Sequence, residues 1–121
     1  MNSEKMKSVG KYKAELNDIL GINLPCTEIY CSAGLIHHIA KRHPDCVEHY
    51  SRIPEVIENP DMVGVDPTKP NSVELIKQIG PYLLVAVTLD SKEGYLYVSS
   101  MYDQTPDKIQ RRLKSGRYIE L

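Results

Sequence analysis

The chain contains neither phenylalanine nor tryptophan, and its aromatic content rests on eight tyrosines. Tyrosine joins an apolar ring to a hydroxyl and suits a wet binding surface; some tyrosines also fill the edges of a core. Long apolar runs are absent too. No stretch approaches the ~20 residues that a membrane helix needs, so no membrane association is expected. The opening residues, Met1-Asn-Ser-Glu-Lys-Met-Lys-Ser8, are polar and lack the apolar centre of a secretion signal, which points to a cytoplasmic protein. Cysteine is scarce. Cys26, Cys31 and Cys46 are an odd number with no C-x-x-C pair, which fits reduced thiols better than a disulfide framework. There is no internal repeat, Gly-rich phosphate loop, G-x-S-x-G elbow or paired-carboxylate motif. Nucleotide hydrolases, esterases and glycosidases therefore gain no support.

What is present is a chain of 121 residues with a net charge of -1. That length suits one domain over residues 1–121, with residues 1–8 expected as a flexible N-terminal segment. The near-neutral balance announces no nucleic-acid partner, but its distribution is uneven. Lys108, Arg111, Arg112, Lys114 and Arg117 crowd the C-terminal end, with Asp107 and Glu120 nearby. This is either a basic patch or the solvated face of a helix.

Helical spacing of Tyr12, Leu16, Ile19 and Leu20 predicts an amphipathic helix that Gly21 stops. Residues 28–31 read as extended. Ser32 reads as the N-cap of a second helix through Arg42, and Pro44 forces His43 out of helical geometry. Further short helices are expected over residues 45–50 and after Pro54, ending at Asn59-Pro60-Asp61. The texture then changes. Residues 62–65 read as a strand, residues 72–79 as strand or helix, and Leu83-Leu-Val-Ala-Val87 as a central strand. Residues 95–102 read as its hairpin partner, and a last helix starts at Thr105-Pro106 and stops at Gly116. The class is α+β, with helices packed on one side of an antiparallel sheet of three or four strands.

The chemistry concentrates in Gly34-Leu-Ile-His-His-Ile-Ala-Lys-Arg-His-Pro44, which holds three of the four histidines. Imidazole can take and give a proton near neutral pH. His38 and Arg42 are four residues apart on one helix face, His37 points elsewhere, and His43 lies past the last turn. The helix C-terminus favours positive charge, so the cluster is either a site of His38, Arg42 and His43 or a solvated end that satisfies the dipole. A metal site would draw on His37, His38, His43, Cys46 and His49, but no pair has the spacing of a known zinc motif; no metal or cofactor is expected. On the last strand, alternation sets Ser100 and Tyr102 on the face of Leu96 and Val98, and Ser99 on the other. Hydroxyls there can meet a phosphate. Lys77 and Lys92 are further phosphate contacts or ordinary surface lysines.

Several phrases occur in order: Val9-Gly-Lys-Tyr12, the histidine segment, Ile57-Glu-Asn-Pro-Asp61, Asn71-Ser-Val-Glu-Leu-Ile-Lys77, Leu84-Val-Ala-Val87 and Tyr95-Leu-Tyr-Val-Ser-Ser-Met-Tyr102. Together they resemble the phage and mobile-element branch of the barnase–EndoU–colicin–RelE-like (BECR) nucleases, from about Val9 to Arg117. The resemblance implies N-terminal helices on a four-stranded antiparallel sheet with a C-terminal helix. It also implies a metal-independent endoribonuclease acting on tRNA or other cellular RNA. The family's His-Ile-x-x-Arg-His phrase falls on His38, Ile39, Arg42 and His43, and its late-strand phrase on Ser99 to Tyr102. The expected catalytic set is His38, Arg42, His43, Ser100 and Tyr102, with Lys41, Lys77, Ser99, Arg111 and Arg112 binding substrate. A ribonuclease of this kind is toxic unless restrained, so an antitoxin or immunity protein is the expected partner beside RNA. The alternative is an inactive RNA-binding or regulatory module of the same fold.

Overall fold

A computed structural model describes residues 6–121 of the chain. Of the segment expected to be flexible, residues 1–5 lie outside the described residues, and residues 6–8 belong to the first strand. The order is β1 (Met6–Lys11), α1 (Glu15–Leu20), β2 (Glu28–Ser32), α2 (Leu35–Arg42), a 3-10 helix (Pro44–Arg52) and α3 (Ile53–Glu58). There follow β3 (Met62–Gly64), β4 (Ser72–Gln78), β5 (Tyr82–Asp90), β6 (Tyr95–Gln104), α4 (Pro106–Ser115) and β7 (Tyr118–Glu120).

The class is α+β as expected, but the sheet is larger than four strands and is mixed. Seven strands run in the order β1-β2-β6-β5-β4-β3-β7. The antiparallel centre, β4-β5-β6, is the expected hairpin and its neighbour, and residues 72–79 resolve as strand. The additions are at the margins. β1 pairs antiparallel with β2, and β2 meets β6 in parallel through Ile29–Leu96 and Tyr30–Tyr97. β7 adds to β3. β1 and β7 have weak local signals and are held by partners distant in sequence, so a reading along the chain passes over them, and the extended reading of residues 28–31 carried no sign that β2 joins the sheet.

Two further expectations are corrected. Tyr12 is buried but precedes α1, so the first helix is shorter than its apolar spacing suggested. Ser32 ends β2, and Gly34 rather than Ser32 stands at the N-cap of α2. His43 does leave the helix, at φ -139° and ψ 63°, and Pro44 opens the 3-10 helix.

The sheet has two differently covered faces. Leu75, Leu83, Val85, Val87, Leu96 and Val98 project into the larger core, against residues of α1, α2 and α3 such as Leu16, Ile39, Val56 and Ile57. On the opposite face α4 covers only part of the sheet, where Ile109 packs with Met62, Ile76, Leu84 and Tyr118. Gly64 lets the chain after α4 press against β3. A Cβ there would lie 2.5 Å from the Arg117 carbonyl oxygen and 2.6 Å from the Tyr118 ring.

A bulge in β6 decides what the open face carries. Val87 pairs with Val98 and Ala86 with Ser100, leaving Ser99 as the extra residue. The insertion reverses the alternation beyond it. Met101 is thereby buried in the core of Leu96 and Val98, while Tyr102 packs with Leu84 and Ala86 on the other face. Ser99 also faces that way, hydrogen-bonded to Thr88 Oγ1 at 2.9 Å. The expectation that Ser100 and Tyr102 share the face of Leu96 and Val98 is overturned for this reason.

Candidate active site

α2 lies beside the half of β6 that β2 does not reach. Its eight residues are too few to hold a helix by hydrogen bonding alone. Its attachment comes from Leu35 and Ile39, both buried in the larger core. At about 1.5–3 kcal/mol for each fully buried aliphatic side chain, this pair outweighs the marginal helix propensity and fixes the helix's rotation. His38 and Arg42 then project toward the open sheet face.

There they meet the late-strand residues. His38, Arg42, His43, Ser99, Ser100 and Tyr102 line one pocket of about 370 Å3, with Asp66, Lys69, Ser72, Glu74 and Ala86. The His43 ring stacks on the Tyr102 ring, with centroids 5.1 Å apart and planes at 29°. The His43 backbone N–H donates to the Ile39 carbonyl at 2.7 Å, and the His43 carbonyl accepts from the Cys46 N–H at 2.9 Å. The imidazole is thus held by backbone on one side and a phenol ring on the other.

Hydroxyls form the floor. Ser72 Oγ lies 3.3 Å from Thr88 Oγ1, which donates to Ser99 Oγ, and Ser99 Oγ donates to the Ala86 carbonyl at 3.3 Å. Burial pushes the Tyr102 phenol above its ordinary range, with the Glu74 carboxylate adding to the shift. The phenol therefore remains protonated at neutral pH and is a hydrogen-bond donor rather than a base.

The far wall carries both signs of charge. Glu74 is 4% exposed and accepts from Arg117 Nη2 at 2.9 Å, and Asp66 lies 3.8 Å from the same nitrogen. Hydrogen bonds from the Thr68 hydroxyl and N–H hold the Asp66 carboxyl below its usual range. Arg117 is braced in turn over the ring of Tyr118, whose hydroxyl accepts from Arg112 Nη1 and donates to Gln104 Oε1, both at 2.7 Å. Two acidic groups beside a phosphate site would repel the ligand. Arg117 offsets that charge and leaves Arg42 and Lys69 as the pocket's facing cations.

The remaining predicted residues lie outside this pocket. Lys41 is exposed on α2, as is His37. Lys77 donates to the Asn59 carbonyl at 3.0 Å and lies 3.7 Å from Asp61. Arg111 and Arg112 join Lys108, Ser115 and Arg117 around a separate concavity on α4. Asp66, Lys69, Ser72, Glu74 and Arg117 were missed as a group. They are separated from the histidines by 23 residues or more of chain, counting from His43 to Asp66, and only the β4-β5-β6 register assembles them.

Candidate ligands for a metal diverge. His49 lies 3.7 Å from Glu48, and Cys46 is buried with Sγ directed to Asp103. Among the described residues no three His, Cys, Asp or Glu side chains form a group able to hold an ion. Burial first, and then the Asp103 carboxylate, push the Cys46 thiol up to about 11. Burial likewise raises Cys31. Neither is poised as a thiolate nucleophile.

The pocket offers groups for proton transfer, hydroxyl donors and a guanidinium, the equipment for acid–base chemistry on a phosphate ester. No curated protein and no solved structure matches the chain. Residues 7–111, most of the sequence and every residue that lines this pocket, match a single family of nucleases. The chain belongs to the phage-Barnase-EndoU-ColicinE5/D-RelE like nuclease3 family.

Proposed function

We propose that the chain is a metal-independent endoribonuclease that cuts RNA by transesterification. One of His38 and His43 accepts the proton of a ribose 2′-hydroxyl, and the 2′-oxygen attacks the adjacent phosphorus. The P–O5′ bond breaks, and the other histidine supplies the proton that the departing 5′-oxygen takes. The products are a 2′,3′-cyclic phosphate and a 5′-hydroxyl. Arg42 grips two non-bridging oxygens with its guanidinium fork, and the hydroxyls of Ser100 and Tyr102 steady the added charge of the transition state. DNA lacks the attacking hydroxyl and is not a substrate.

One observation carries this reading: His38, Arg42 and His43 converge with Ser99, Ser100 and Tyr102 in a single pocket of a nuclease-family chain. The protein acts in the cytoplasm on tRNA or other cellular RNA, as a toxin-like effector of a phage or mobile element, and an antitoxin or immunity protein restrains it. Expression in a host without that partner should arrest growth for the wild type and not for His43→Ala. Unimpaired growth with abundant folded wild type would count against the toxin role. Incubation of purified protein with total RNA in a chelator tests the chemistry. RNA bound but left intact would favour the inactive binding module.

A further inference from the structure

Three tyrosines on the open sheet face are not used by the pocket. Tyr95 and Tyr97 alternate along β6 with the core residues Leu96 and Val98, and so point away from the larger core. Tyr30 of β2 is the Cα partner of Tyr97 and alternates with the core residues Ile29 and Cys31. All three rings are partly exposed, and none belongs to either hydrophobic cluster. Tyr30 meets Tyr95 edge to face at 6.2 Å, and Tyr95 meets Tyr97 tilted at 6.0 Å. Neither contact is a face-to-face stack.

This patch is continuous with the pocket. Tyr97 pairs with Thr88, whose hydroxyl donates to Ser99 on the pocket floor. Along β6, Tyr97 precedes Ser99 by two residues, about 7 Å of strand, and Tyr95 precedes it by four, about 13 Å. The bulge at Ser99 is what makes the two surfaces one. Without it, Ser100 and Tyr102 would lie on the opposite face from Tyr95 and Tyr97.

We infer that Tyr30, Tyr95 and Tyr97 form a base-stacking platform for the unpaired nucleotides flanking the scissile phosphate, so that the substrate is single-stranded RNA laid along β6. Aromatic rings on an open sheet face stack bases without reading sequence, and a duplex keeps its bases stacked on each other and out of reach. Tyrosine serves better than phenylalanine here because its hydroxyl keeps a partly exposed ring hydrated in the free protein. The inference rests on the nuclease reading for the direction of the strand, but its test does not depend on cleavage.

The probe is a labelled 12-nucleotide RNA with 2′-O-methyl riboses, which blocks the attacking hydroxyl, offered single-stranded or annealed to its complement. Anisotropy titrations compare wild type, Tyr97→Leu and Tyr97→Phe. Leucine keeps apolar bulk and the fold but offers no π face. Wild type should bind the single strand at least tenfold tighter than the duplex. Tyr97→Leu should cut that preference about tenfold and Tyr97→Phe should retain it. Equal binding of strand and duplex by wild type, no binding of either, or an undiminished preference in Tyr97→Leu would overturn the platform. A cleavage assay that yields no cyclic phosphate beside a positive titration would refute the chemistry and leave the platform standing.

Discussion

His43 is the residue on which most depends. It sits where α2 ends, its backbone tied to Ile39 and Cys46 and its ring laid against Tyr102. His43→Ala should lower RNA cleavage by about 10²–10⁴-fold, the span general acid–base catalysis contributes, with an unchanged denaturation midpoint. Tyr102→Phe keeps the ring beneath His43 and removes one donor. A loss of about fivefold in kcat corresponds to a neutral hydrogen bond of about 1 kcal/mol. A loss as large as that of His43→Ala would mean that the phenol takes part in proton transfer. Titration is also informative away from the site. Burial pushes Tyr12 up to about 12, with Cys26 contributing. A pKa raised by folding means that the stabilisation is complete below the unfolded value near 10 and is lost as pH rises toward 12. Denaturant titrations across that window should show stability falling in wild type and less steeply in Tyr12→Phe. The Phe variant starts lower, because it forfeits the 2.8 Å bond to Asn17 Oδ1.

At the scale of elements, the site depends on how α2 is seated. Ile39 is fully buried, so Ile39→Ala should cost about 2–5 kcal/mol and Ile39→Val about 0.5–1.5 kcal/mol by urea denaturation. Activity should fall further than the folded fraction in Ile39→Ala, because a loosened helix misplaces His38 and Arg42 together. At the other end of the fold, Thr105 Oγ1 caps α4 by accepting from the Lys108 N–H at 3.2 Å. Thr105→Ala should cost about 1 kcal/mol without touching catalysis. These elements also mark what was legible in the sequence. Thr105-Pro106 and Gly116 bracket α4, and the break before Pro44 and the pairing of β5 with β6 are local signals that the fold obeys. β1, β2 and β7 were not legible as members of one sheet, because each is short or half-polar and owes its conformation to a distant partner. The bulge at Ser99 was hidden too, since Val-Ser-Ser-Met reads equally well as regular strand. The histidines, arginine and late-strand hydroxyls were named from the sequence, but Glu74 and Arg117 required the register of the whole sheet.

Over the whole molecule, the pocket face is an electrostatic compromise. Arg117 joins the segment after α4 to Glu74 on β4 and Asp66 in the preceding loop, so one side chain connects the C-terminal end to the pocket wall. Removing it leaves a buried carboxylate uncompensated. Arg117→Ala should cost about 3 kcal/mol and weaken RNA binding, and adding Glu74→Gln should recover much of both losses; a double variant as weak as the single one would show that the ion pair is not the cause. Among the described residues no helix is long and apolar enough to cross a membrane. The central proposal is metal-free cleavage through the 2′-hydroxyl by the imidazoles of His38 and His43. Its most direct test is incubation of wild type and His43→Ala with total RNA in excess chelator, followed by chemical identification of the new ends. Wild type should yield 2′,3′-cyclic phosphate and 5′-hydroxyl ends and His43→Ala almost none; 5′-phosphate ends, cleavage of DNA as fast as RNA, or equal activity in His43→Ala would overturn the proposal.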